Sequence, residues 1–150
     1  MMRVITLIFV LLAAYSCAPK SSNEANTLAG ISDPEVMKFA ITGKTLYENY
    51  CGNCHQSDGM GLGKLIPPLK DSDYFKESLH RSVWIMKYGQ TGEIEVNGQL
   101  YNQPMPANPQ LTPLDIAQIS TYLYNIWGME EGVITSSDVE KLLGERPEGY

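Results

Sequence analysis

Five consecutive residues, Cys51-Gly52-Asn53-Cys54-His55, constrain this chain more than any other feature of its 150 residues. Two thiols three positions apart can each add across one vinyl group of a haem. The adjacent histidine then turns beneath the porphyrin and presents an imidazole nitrogen to iron. Attachment through Cys51 and Cys54 and one axial ligand, His55, therefore come from a single short loop. Only one such motif occurs, so one covalently attached haem c is expected and the two-haem peroxidases are excluded. Other chemistries fit the string less well. A zinc site needs four ligands, and of the further cysteines and histidines only His80 and Cys17 remain. A thioredoxin-like dithiol calls for a preceding strand in a βαβ unit, whereas the residues before Cys51 read as helix. A disulfide across so tight a loop is possible outside the cell, but it gives His55 no role.

The N-terminus fits an exported chain. Arg3 follows two methionines, Val4 to Ala14 supplies eleven mostly apolar residues, and Ala14-Tyr15-Ser16-Cys17 closes the run. A bilayer span takes about 20 apolar residues, so residues 1–16 read instead as a secretory signal peptide. Cys17, directly after a small residue, resembles the lipobox cysteine of bacterial lipoproteins, whose thiol is diacylated and whose new amine takes a further acyl chain. Two or more chains give stable anchoring. Ala14-x-Ser16 would also serve an ordinary signal peptidase cutting at the same bond. Residues 17–32 then form a lipidated N-terminus and flexible tether, with Ser, Asn, Lys and Glu frequent from Ala18 to Thr27. The expected location is the periplasmic side of a membrane, held there by the lipid.

Local patterns place helices on both sides of the motif. Asp33-Pro34 offers an N-cap with proline at the first helical position, and Val36, Phe39, Ala40, Gly43, Leu46, Tyr47 and Tyr50 recur at helical spacing. Thr112-Pro113-Leu114-Asp115 is a capping box, and Ile116, Ile119, Tyr122, Leu123 and Ile126 make one apolar stripe ending at Trp127-Gly128. Gly43 leaves room for a close crossing by an aromatic from this second helix. Glu93–Val96 and Gln99–Asn102, joined by Asn97-Gly98, predict a short type I′ hairpin. Residues 129–150 form an extension in which Ser137-x-x-Glu140 reads as a capping box for a terminal helix folded against the domain, a docking tail being the alternative.

From Asp33 to Gly128 the sequence resembles a class I cytochrome c: Gly43-Lys-Thr-Leu-Tyr47 precedes the Cys51–His55 motif, and Asp58-Gly59-Met-Gly61 and Pro67-Pro68-Leu69 follow it. The stretch Val96-Asn97-Gly98-Gln99 and Tyr101-Asn102-Gln103-Pro104-Met105-Pro106 is similar to the methionine loop of the bacterial monohaem branch. The resemblance implies an all-α fold, with helices around one covalent haem and a short β-hairpin before the methionine loop, over residues 33–128. It also implies that a proline carbonyl, preferably that of Pro67, accepts the second imidazole N–H of His55. It brings Trp84 and Tyr101 into consideration as residues lining the haem or bonding its propionates, with ordinary packing as the alternative for both.

The second iron ligand can be weighed from the residues as well. Met60 follows His55 too closely to reach the other haem face, and Met37, Met86 and Met129 sit in or beside helical patterns, where methionine is usually core filler. Met105 stands between two prolines in a loop, which stiffens its backbone. His80 and an open sixth position remain as alternatives. With His55 and Met105 both bound, substrate has no access to the metal, and the expected function is one-electron transfer between respiratory or dehydrogenase partners, without catalysis of its own. A fixed haem subunit of a dehydrogenase, reductase or oxidase complex is the second reading, and an open-site ligand-binding haem protein the third. Seventeen acids against eleven bases, a net charge of -6, disfavour nucleic acid. No Lys or Arg lies between Lys87 and Lys141, so the methionine side should be neutral to acidic and suit a basic or apolar partner patch.

Overall fold

The computed structural model of the chain describes residues 27–128 and 132–148; the predicted signal peptide, Cys17 and most of the predicted tether lie outside the described residues. Helix α1, Pro34–Tyr50, begins where the Asp33 carboxylate accepts the amides of Glu35 and Val36 at 2.8 and 3.0 Å. Proline at its first position has no amide to satisfy there. Its inner stripe is Val36, Ala40, Gly43 and Tyr47. Tyr50, predicted to continue that stripe, is instead 43% exposed. The chain leaves helical geometry at Cys51, and within the last turn of α1 Tyr47 stays buried while Tyr50 turns outward.

The one-turn helix α2, Gly52–His55, carries the attachment motif. Helices α3, Asp73–Glu77, and α4, Leu79–Tyr88, follow, each capped by a serine, Ser72 and Ser78. Strands β1, Ile94–Val96, and β2, Gln99–Tyr101, pair antiparallel with Ile94 opposite Tyr101 and Val96 opposite Gln99. Asn97 and Gly98 both take positive φ, 52° and 75°, as a type I′ turn requires. Helix α5, Pro113–Ile126, starts at the Thr112–Asp115 capping box, and α6, Ser136–Leu143, closes the described chain. The protein is thus mostly helical with one small sheet among the described residues.

The crossing of α1 over α5 organises the core. A Cβ on Gly43 would overlap the Gln118 carbonyl and stand 2.9 Å from the Cβ of Tyr122, so only a hydrogen permits this approach. Tyr47, Tyr122 and Trp127 then form a ring cluster with centroids 5.5 to 5.8 Å apart. Helix α5 is buried well beyond its predicted stripe, Ser120, Thr121 and Tyr124 included. The reason is the C-terminal extension, which covers its other side. Thr121 Oγ1 exchanges bonds with both backbone groups of Ile134, and Asn125 does the same with Gly132.

Helix α6 folds against the domain, with Val139 fully buried, but its cap differs from the sequence expectation. Thr135 and Asp138 form the box, the Asp138 amide donating to Thr135 Oγ1 at 3.2 Å and the Thr135 amide to the Asp138 carboxylate at 2.9 Å. Ser137 already lies inside the first turn. Tethering of Ile134 to Thr121 starts the helix two residues earlier than Ser137-x-x-Glu140 suggested. Gly43→Ala should destabilise the protein by about 1–3 kcal/mol or more through overpacking, read as a lower guanidinium midpoint.

Candidate haem site

Helix α1 delivers the attachment loop already braced. The Tyr47 carbonyl accepts the Cys51 amide at 2.8 Å, and the buried Tyr47 hydroxyl donates to the Gln56 carbonyl at 2.5 Å. Burial, with the nearby Cys51 thiol second, pushes the Tyr47 phenol well above its ordinary value, so it keeps that proton. Before attachment, burial likewise raises the Cys51 thiol to about 12, with the nearby Cys54 second; Cys54 is exposed.

His55 is only 7% exposed. Its Nδ1 lies 3.1 Å from the carbonyl of Pro67. A carbonyl only accepts, so Nδ1 carries the proton and Nε2 keeps its lone pair. Burial lowers the pKa of His55 and the Pro67 bond partly opposes it, which favours the neutral imidazole that metal binding needs. Gly61 makes the contact possible: at φ 68° it donates its amide to the His55 carbonyl at 3.0 Å, and a Cβ there would press to 2.6 Å from the Pro67 carbonyl. The segments around Gly59 and Pro67–Leu69 are thereby folded together, the Gly59 carbonyl accepting the Leu69 and Lys70 amides.

Cys51, Cys54, His55, Pro67 and Met105 all line one cavity of about 1190 Å³, open solvent at its mouth included. Ile66, Leu69, Phe75, Ile85, Val96 and Leu123 give it apolar walls, and Tyr74, Gln90, Gln103 and Asn108 add polar groups. A flat, largely apolar macrocycle with two carboxylate arms suits these walls, and two thiols plus a neutral imidazole suit its attachment and its iron. Met105 is held by its neighbour segment, its amide and carbonyl each bonded at 2.9 Å to the backbone of Gln90.

The other sequence candidates fall elsewhere or gain a new setting. Met60 is 54% exposed, and His80 Nε2 lies 2.8 Å from the Glu145 carbonyl; neither lines the cavity. Met86, read as core filler, is buried in α4 and also lines it. Met129 lies outside the described residues. Tyr101 lines the cavity and points its hydroxyl at the Gly63 carbonyl, 3.4 Å away. Trp84 does not line it; its ring packs tilted against Tyr88 with centroids 4.4 Å apart, because residues four apart on α4 share a face.

Two framing interactions have no local sequence signal. Tyr124 donates to the Phe75 carbonyl at 2.9 Å, linking α5 to α3. Asp73 and Asn97 exchange bonds across 24 residues, the Asp73 amide with the Asn97 side chain at 3.0 Å and the reverse at 2.8 Å, which ties the hairpin turn to α3. The Asn97 amide, with that of Tyr74, holds the Asp73 carboxyl below the usual aspartate range.

Residues 40–127 match the family described as Cytochrome c. The chain belongs to the cytochrome c family. Among similar proteins is Cytochrome c-552 of Thermus thermophilus, 30% identical over 107 residues that span 64% of this chain and 80% of that protein. A second Cytochrome c-552, from a particular strain of the same species, is also 30% identical over 107 residues, spanning 64% of this chain and 71% of that one. As a cytochrome c, the chain takes covalently bound haem c, with Cys51 and Cys54 in the Cys-x-x-Cys-His string of the matched region. It is a haem electron-transfer protein.

A Cys51→Ala/Cys54→Ala variant should carry no haem mass after acid-acetone extraction, and should melt well below the holoprotein because the cavity loses its filling. The Asp73 contact should be pH-dependent. A lowered folded pKa stabilises above the unfolded value of about 3.9 and loses that effect as pH falls through the folded value. The stability gap between the cytochrome and Asp73→Ala, measured by denaturation, should therefore be open at neutral pH and close in acid.

Proposed function

We propose that the cytochrome is a single-haem electron carrier whose iron is held by His55 Nε2 and the Met105 sulfur. The observation that carries this reading is the cavity that the attachment loop and the methionine loop line together. Haem, when bound, supplies a one-electron Fe(III)/Fe(II) couple. The chain does the rest. His55 binds with its ring fixed by Pro67, as a hydrogen bond to the distal nitrogen orients such ligands. Met105, a poor donor to Fe(III) and an acceptable one to Fe(II), raises the potential relative to a second histidine. Apolar walls exclude water and favour the less charged state of the centre. Were His55 and Met105 both to hold the iron, no substrate would reach it and the redox change would need little ligand movement.

The reading extends to where the carrier works. Residues 1–16 export the chain, acylated Cys17 anchors it, and residues 17–32 tether the cytochrome domain, 33–128 with its extension 129–150, at the periplasmic side of a membrane. No helix among the described residues is long and apolar enough to cross a membrane. On this reading the lipid supplies the attachment. Redox partner proteins, a dehydrogenase, reductase or terminal oxidase, dock on a face poor in lysine and arginine, which suits a basic or apolar patch.

Met105→Ala should abolish the weak far-red sulfur-to-iron band of the ferric protein and lower the midpoint potential; an unchanged band would refute the ligand. Cys17→Ser should move the cytochrome from the membrane to the soluble fraction on sedimentation.

A further inference from the structure

The last turn of α4 and the residues just after it are the fixed ground to which both arms of the methionine loop are tied. On the incoming arm, Gln90 and Met105 exchange their two backbone bonds. On the outgoing arm, Asn108 Nδ2 donates to the Met86 carbonyl at 3.3 Å. Lys87 closes the base: its ammonium donates to the carbonyls of Pro109 at 2.8 Å and Leu111 at 2.7 Å. Bonds from a charged donor are about twice as strong as neutral ones. Leu111 itself is 1% exposed, so the inner bond is sheltered from water.

Two features of the loop make an outside donor necessary. Pro104, Pro106 and Pro109 have no amides, so the segment has few donors with which to satisfy its own carbonyls. No other Lys or Arg occurs from residue 88 to residue 140, so none within that stretch substitutes for Lys87.

We infer that Lys87 is a positioning residue for Met105: its ammonium locks the outgoing arm of the loop to α4 and so keeps the thioether aimed at the iron. The inference rests on Met105 being the ligand. Lys87 touches neither the cofactor cavity nor the sulfur, and acts only through the Pro109 and Leu111 carbonyls.

Carbon monoxide binding to the ferrous holoprotein tests it, because the gas competes for the position that Met105 vacates when the loop opens. Lys87→Met keeps the apolar stem and removes the donors. It should bind carbon monoxide about tenfold faster than the unaltered protein, equivalent to roughly 1.4 kcal/mol of eased loop opening. Its far-red band should also weaken. Lys87→Arg, which restores donors, should return the rate close to the original. Lys44→Met, which removes the partner of Glu48 on the outer face of α1, should leave it unchanged. An unaltered rate in Lys87→Met overturns the clamp. Should that variant fail to accumulate as holoprotein, Lys87→Gln takes its place: a raised rate supports the clamp and an unaltered one overturns it. If the unaltered protein itself lacks the far-red band and binds the gas at once, the failure belongs to Met105 as ligand, which separates the two outcomes.

Discussion

The contact of α1 with α5 at Gly43 is the constraint from which the site follows. It sets the two longest helices among the described residues close enough for Tyr47 to be wholly buried against Tyr122 and Trp127. Tyr47 in turn grips both ends of the attachment loop, through its carbonyl to Cys51 and its hydroxyl to Gln56. The loop is thereby positioned before any cofactor contact is considered. A methyl group at residue 43 would push α5 away and move the anchor of the haem loop with it.

Around that frame, each wall of the cavity is held by a different kind of bond. The wall beneath His55 depends on Gly61 letting the backbone lie against Pro67. The hairpin wall is tied by Asp73 and Asn97, and the α3 wall by Tyr124 reaching the Phe75 carbonyl. The methionine loop is held by Gln90 just after α4, by Lys87 in the last turn of α4 and by Asn108, which reaches the Met86 carbonyl. Such division means that a loop poor in backbone donors is still kept stiff, which suits an electron carrier because rigid cavity walls keep the reorganisation between oxidation states small.

The extension after Gly128 changes the character of α5. A helix with one side against α1 and the cavity would ordinarily leave its other face to water. Here Thr121 and Asn125 bond the backbone of Gly132 and Ile134, and Val139 packs down beside them. The middle of the helix, from Ile119 to Tyr124, is buried all round as a result, Ser120 and Thr121 included despite their polarity.

What the sequence by itself determined is local. The attachment string, the Asp33 and Thr112 caps, the Asn97-Gly98 turn and the crossing at Gly43 are legible because each depends on residues a few positions apart, or on one missing side chain. Tertiary structure decided what depends on distant partners. Met86 reached the cavity while Trp84 turned to Tyr88, a difference of helical phase that an apolar pattern does not resolve. The α6 cap moved to Thr135 because Thr121, far back in the chain, takes hold of Ile134. Lys87 and Leu111, like Asp73 and Asn97, meet across more than twenty residues. Hydrogen bonds of that span leave no periodicity to read, since only the packed helices determine which donor arrives beside which carbonyl.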